Sequence, residues 1–169
     1  MKISIRNATQ TVKPDELKQA VRFYADKLIP KVTHGRLNVS IIFDKENKLL
    51  GKDRGQTLWD HYLNGDKNKF IIRLNPKLSR ANLLMTLAHE MVHVKQYVTG
   101  ELYDYKANTK ARWHGEVMET EEIDYWVQPW EIEAWGRETG LYIYYKDHHK
   151  EQTKAAKALA RAKAKKKRG

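Results

Sequence analysis

Apolar residues recur at steps of three and four between residues 80 and 99. Leu84, Leu87, Ala88, Met91, Val94 and Val98 form one stripe, with Ser79 and Gly100 standing where an N-cap and a C-cap belong. This is the clearest helix in the chain. A similar spacing of Leu17, Ala20, Val21, Phe23, Tyr24 and Leu28, after an acidic start, predicts a first helix that stops near Pro30. The stretches RLNVSIIFD (36–44) and NKFIIRLNP (68–76) have the β-branched, apolar look of strands, and KISIR (2–6) predicts a short third one. Residues 45–68 between them are polar and punctuated by glycine, so they read as a loop holding at most a hairpin. Further on, ARWHGEVM (111–118) and EEIDYWV (121–127) can pair as a hairpin. Pro129 then suits the first position of another helix, with Ile132, Trp135, Thr139, Tyr142 and Ile143 expected to face inward.

That order of elements predicts an α+β domain, a small sheet packed on the central helix, over residues 1–147. Residues 148–169 form a tail, helical or disordered. Composition sharpens the boundary. The chain has 169 residues and a formal net charge of +11. From Lys146 to Gly169 ten Lys/Arg stand against Asp147 and Glu151, a net of +8 that leaves +3 for residues 1–145. The basicity is thus mostly a property of the tail, whose Ala, Lys and Arg favour helix yet offer no apolar stripe to bury. Such a tail is either a solubilising terminus or a contact to nucleic acid through counterion release; no aromatic residue interleaves with its lysines to suggest base stacking.

Hydrophobic content of 41%, with five Trp and nine Tyr, is enough for a packed core and argues against disorder throughout. The chain has no Cys, which excludes disulfides and thiolate metal sites and leaves His, Asp and Glu as metal ligands. The N-terminal stretch lacks the apolar run of a signal peptide, and no segment approaches the ~20 apolar residues of a membrane span. The expectation is a cytoplasmic protein without membrane association.

The candidate chemistry lies in LAHEMVHVKQYVTG, residues 87–100. On a helix, positions four apart lie on one side about 6 Å from each other, so the imidazoles of His89 and His93 can converge on one ion. Zn2+ takes about four ligands and, in a catalytic site, leaves one position for water. Glu90, one step after the first histidine, reaches that water rather than the metal, where it can act as general base and then return the proton to a leaving amine. At equal residue frequencies HExxH arises by chance in about one chain of this length in fifty. Its setting in mid-helix, behind a strand and opposite an apolar face, sets this instance apart.

A third protein ligand is required. Glu131 and Glu133 lie at the start of the helix after Pro129, among Trp130, Ile132 and Trp135, where a carboxylate needs a partner. Glu131 is preferred because it shares its face with the small Ala134, which permits close approach to the histidine helix, and with Trp135 and Glu138. Glu133, which points about 160° away, and His114 in RWHGEV stay as alternatives. For a donor to a developing oxyanion, Tyr125, Tyr142 and His114 are candidates. Trp113 reads either as a cleft wall or, more simply, as a core aromatic. His148 and His149, at the edge of the tail, read as solvent histidines.

HEMVHVKQYVTGEL, RWHGE and YWVQPWEIEAWGRE together resemble the small SprT-like, zincin-type metallopeptidases often encoded by phages, over about residues 68–145. The resemblance implies a compact zincin fold, Zn2+ on His89, His93 and Glu131, and Glu90 as base. It also implies a protein or peptide substrate that adds to a sheet edge above the metal. In the related gluzincin pattern an Asp four residues after the ligand Glu supports a histidine, whereas this chain has Trp135 there. The SprT-type crosslink proteases use a third histidine instead, which would favour His114. The function expected is zinc-dependent peptide hydrolysis. The alternative is a nucleic-acid-associated or virion structural protein with an idle zincin core and a DNA-binding tail.

Overall fold

The structure is a computed structural model and describes residues 1–44, 51, 53–60, 65–105 and 109–166. Its architecture is mixed α/β. Strands β1 (Lys2–Arg6), β2 (Asn38–Phe43) and β4 (Lys69–Leu74) run parallel, and β3 (Gly55–Trp59) lies antiparallel to β4 at the edge, giving the order β1-β2-β4-β3. Helix α1 (Pro14–Leu28) and a single helical turn, α2 (Lys31–His34), connect β1 to β2. In β2 and β4 every second residue is buried, so Val39, Ile41, Phe43, Phe70, Ile72 and Leu74 meet the apolar faces of α1 and of α3 (Arg80–Thr99). The intervening side chains stay half-covered, as the period of two requires.

Helix α3 forms as the sequence predicts. The Ser79 side chain accepts from Asn82 N–H at 3.3 Å, and Gly100, at φ 76°, closes the helix in the left-handed conformation that glycine adopts without strain. Its expected stripe is buried, with Val98 half-buried. The helix is enclosed on several sides, by β3 and β4, by α1, and by the long last helix α4 (Pro129–Lys166).

Three sequence expectations change. The polar stretch 45–68 contains strand β3, while residues 45–50, 52 and 61–64 lie outside the described residues. Gly55, Gln56 and Thr57 conceal this strand because its edge lines a cleft, so it lacks the apolar alternation that betrays β2 and β4. The hairpin forms inside ARWHGEVM rather than between it and EEIDYWV. Strands β6 (Lys110–Trp113) and β7 (Glu116–Glu119) meet at His114 and Gly115, whose φ of 47° and 96° suit a two-residue turn, and with β5 (Leu102–Asp104) they make a second, antiparallel sheet. EEIDYWV instead winds into short 3₁₀ turns, with Asp124 accepting from Trp126 N–H. Finally, α4 is rotated from its expected face: Trp130, Glu131, Ala134, Glu138 and Tyr145 are buried, whereas Ile132 and Ile143 are 55% and 46% exposed and Thr139 is exposed too. The buried face thus combines two carboxylates with Trp130, Ala134 and Tyr145.

Helix α4 runs unbroken across residue 147. Near that point Tyr145 donates to the Glu16 carbonyl at 3.2 Å and His148 lies against the Phe23 ring, so α1 is where α4 leaves the core. His149 stacks on Tyr145 instead of standing free in solvent. Among the described residues no helix is long and apolar enough to cross a membrane.

Candidate metal centre and cleft

Helix α3 presents His89 and His93 one turn apart, and α4 packs alongside so that Glu131 faces both. The distances are 3.2 Å between the two Nε2 atoms, 3.4 Å from His89 Nε2 to Glu131 Oε2 and 3.3 Å from His93 Nε2 to Glu131 Oε1. Ligand atoms about 2.0–2.1 Å from one ion, in a tetrahedral arrangement, stand about 3.3–3.4 Å apart. The three side chains thus form a group that could hold a metal ion.

The remaining ring nitrogens are held in a way that suits this. Gln96 donates from Nε2 to the Trp130 carbonyl at 2.9 Å and to Glu133 Oε2 at 3.0 Å, which turns its amide oxygen toward His93 Nδ1 at 2.8 Å. An oxygen there requires a proton on Nδ1, so the lone pair of neutral His93 lies on Nε2, facing the group. Glu138 Oε2 lies 3.3 Å from His89 Nδ1, an ion-pair contact that is not a well-directed hydrogen bond. The edge of His89 also meets the Trp135 ring, 4.9 Å between centroids.

Charge in the site is unbalanced. Glu90, Glu131 and Glu138 are 4%, 8% and 5% exposed, and two imidazoles cannot neutralise three carboxylates. Burial alone would depress the His89 imidazolium, yet Glu131 and Glu138 beside it hold its pKa up at about 9. Burial works against the Glu131 carboxylate as well, but His89, His93 and the Tyr125 hydroxyl at 2.6 Å bring it below the usual range. A dication would take the place of the two positive charges that the imidazoles give up when they bind it as neutral ligands.

Glu90 lines the same cleft and lies against β3. Its Oε2 accepts from the Thr57 hydroxyl at 2.8 Å, and burial raises its carboxyl above the usual range, with His93 and His89 offsetting part of that rise. Gly55 admits this approach. A Cβ there would stand 2.6 Å from both Glu90 Oε1 and Thr86 Cγ2. Around these residues a cleft of about 1250 Å3 opens, walled by β3, by Tyr97 and Asp104, and by Tyr125, Trp126 and Trp135.

The sequence-predicted residues divide cleanly. His89, Glu90, His93 and Glu131 come together. Glu133 does not join them: it is bonded to Lys95 at 2.8 Å, Gln96 and Arg137, on the flank where α3 and α4 meet. His114 sits at the exposed hairpin turn, outside both the histidine group and the cleft lining. Trp113 packs with Trp130 in the small core of the second sheet, the simpler of its two readings. Tyr125 lines the cleft, whereas Tyr142 packs on the main core.

Sequence reasoning missed Glu138, Gln96, Thr57 and Gly55 as supports of the site. Glu138 had a signal, since seven residues after Glu131 it returns to the same helix face. Gln96 had a weaker one, three residues after His93. Thr57 and Gly55 had none, lying in a polar stretch distant in sequence. No protein-family model, curated protein or solved structure matches this chain. The functional reading therefore rests on the residues themselves.

Proposed function

We propose that this protein is a zinc-dependent peptidase with a zincin-like fold, in which His89, His93 and Glu131 hold Zn2+ and Glu90 is the general base. The observation that supports it best is that the two Nε2 atoms lie 3.2 Å apart and each lies 3.3 to 3.4 Å from an oxygen of the Glu131 carboxylate, beside a separate buried carboxylate. Two nitrogens and one oxygen, with no thiolate in the chain, form a donor set suited to catalytic zinc. When bound, the ion supplies a Lewis acid for a peptide carbonyl and acidifies a water molecule.

The protein side of the chemistry follows from where each group points. Glu90 takes the proton of the attacking water and passes it to the leaving amine. Its buried setting makes it a stronger base than an exposed carboxylate, and Thr57 holds the side chain in place from β3. Glu138 and Gln96 keep the two imidazoles oriented, and Tyr125 is the hydroxyl within reach of developing negative charge. Strand β3 is the edge of its sheet and lines the cleft, so an extended peptide has main-chain groups to pair with there.

The test is Glu90→Gln. The variant should keep its metal and lose about 10²- to 10⁴-fold in cleavage of an unfolded protein substrate. Cleavage at the wild-type rate would remove Glu90 from the mechanism.

A second reading concerns the tail. Every residue from Lys150 to Ala164 is exposed on α4, and Lys150, Lys154, Lys157 and Arg161, at steps of four and three, line up on one face, which favours a polyanion such as nucleic acid as its partner. In the alternative function this contact is the whole activity and the core is idle. The two also combine, with the tail bringing a peptidase to nucleoprotein. Removing residues 150–169 separates them: a tail-driven binder loses its salt-sensitive DNA affinity, whereas a peptidase core keeps zinc and turnover.

A further inference from the structure

Beyond His93 the cleft continues along α3 to Tyr97, one helical turn further, and there its wall changes character. The Tyr97 hydroxyl donates to Asp104 on β5, and both residues line the cleft. Trp59 stacks on the Tyr97 ring at 5.1 Å, while Tyr105, Leu102 and Trp130 extend the apolar wall. Asp104 is thus a carboxylate among aromatic rings, and burial raises its pKa, with Tyr97 and the nearby His93 offsetting part of the rise.

Four other covered carboxylates of this fold face a cation or an imidazole. Asp60 pairs with Lys69 at 2.9 Å, Glu133 with Lys95 and Arg137, and Glu131 and Glu138 with the histidines. Asp104 is different: among the described residues no Lys or Arg comes within ion-pair distance of it. As an acceptor for the Tyr97 hydroxyl alone, a neutral amide would serve without a desolvated charge. A carboxylate facing a cleft, with aromatic faces beside it, is instead complementary to a long cationic side chain, whose alkyl stem packs on the rings while its head reaches the acid.

We infer that the cleft beside His93 is a subsite for a Lys or Arg side chain of the bound peptide, with Asp104 receiving the cationic head and Tyr97 and Tyr105 the stem. This rests on the peptidase reading, to which it adds a substrate class: peptides with a basic residue flanking the scissile bond. The protein's net charge of +11 would by itself attract acidic peptides, so a preference for lysine has to come from a local group.

The experiment uses the full-length, zinc-loaded Glu90→Gln protein, so that peptide is not consumed. Fluorescein-labelled Ala/Gly octapeptides carrying a central Lys, acetyl-lysine or Glu are titrated by fluorescence anisotropy. The Lys peptide should bind at least tenfold more tightly than the acetyl-lysine peptide, and the Glu peptide most weakly. Adding Asp104→Asn should bring Lys and acetyl-lysine to within twofold, and Asp104→Lys should turn the preference toward Glu. Equal binding of Lys and acetyl-lysine by the Asp104 protein overturns the inference without any Asp104 variant, as does a Lys preference that survives Asp104→Asn in a variant of unchanged Tm, or no binding of any peptide. If the Lys preference appears but the wild-type protein hydrolyses nothing, the subsite stands and the peptidase reading falls. If the wild type cleaves peptides without regard to lysine, the reverse holds.

Discussion

Between Trp130 and Tyr145, helix α4 buries Trp130, Glu131, Ala134, Glu138 and Tyr145 against its neighbours, whereas from Lys150 to Ala164 every residue of the same helix is exposed. The first part is helical with glycines at 136 and 140 and β-branched residues at 132, 139 and 143, none of them strong helix formers. Packing on α3 and α1 holds it. The second part is helical on the strength of Ala, Lys and Arg alone. The charges differ in the same way: each carboxylate on the buried face of the first part has a defined partner, while the tail carries a surplus of like charge. One continuous helix therefore joins a segment whose residues are specified by tertiary contact to a segment specified by composition.

Substitutions along α4 should reproduce that contrast. The largest effect is expected at Glu131. Glu131→Ala should purify with zinc well below one equivalent by elemental analysis and lose peptide cleavage, while Glu133→Ala and His114→Ala keep their metal. Full metal in Glu131→Ala would remove it from the ligand set. A step down comes Glu138→Gln, which leaves the proposed ligands intact but weakens the support of His89; metal affinity or activity should fall about 10- to 100-fold, as a competitive chelator titration would show.

A smaller change is expected at Glu133. Burial tends to raise this carboxyl, but Lys95, Gln96 and Arg137 bring it below the usual range. A depressed folded-state pKa means the stabilisation is fully present above the unfolded-state value of about 4.3 and is lost as pH falls through the folded-state value. Glu133→Gln should cost about 1 kcal/mol at pH 7, and urea melts of variant and wild type should converge as pH falls below the folded-state value. Wild-type stability independent of pH across that window would contradict the ion-pair cluster. The smallest effect belongs to the tail: removing residues 150–169 should shift stability by less than about 0.5 kcal/mol, because no core residue is lost. A large drop in Tm would mean that the exposed half of α4 supports the core after all.

Much of the metal group was legible because HExxH is a local pattern: five consecutive residues on one helix face fix their mutual geometry through the helical repeat alone. Glu131 was reachable by a further step, since its face carries the small Ala134, but the apolar periodicity of the same helix misplaced Ile132, Thr139 and Ile143. An apolar stripe marks a buried face only when apolar residues are what the neighbour requires, and here the neighbour is a pair of histidines. Strand β3 was illegible for a related reason. Its polar residues serve Glu90 and the cleft, so the alternation that reveals a strand is missing where the strand matters most.

By itself, then, the sequence determined the capped α3 helix, the placing of His89, Glu90 and His93 on it, the β2 and β4 strands and the basic character of the tail. Each depends on residues close together in the chain, whose spacing translates directly into helix or strand geometry. Only the tertiary structure decided that Glu131 rather than Glu133 or His114 meets the histidines, that Glu138 and Gln96 stand behind them, and that Gly55 lets β3 close over Glu90. Those relations join positions about 30 to 50 residues apart, or lie within the rotation of one helix. They are set by how whole elements pack, to within a few ångströms that no local pattern encodes.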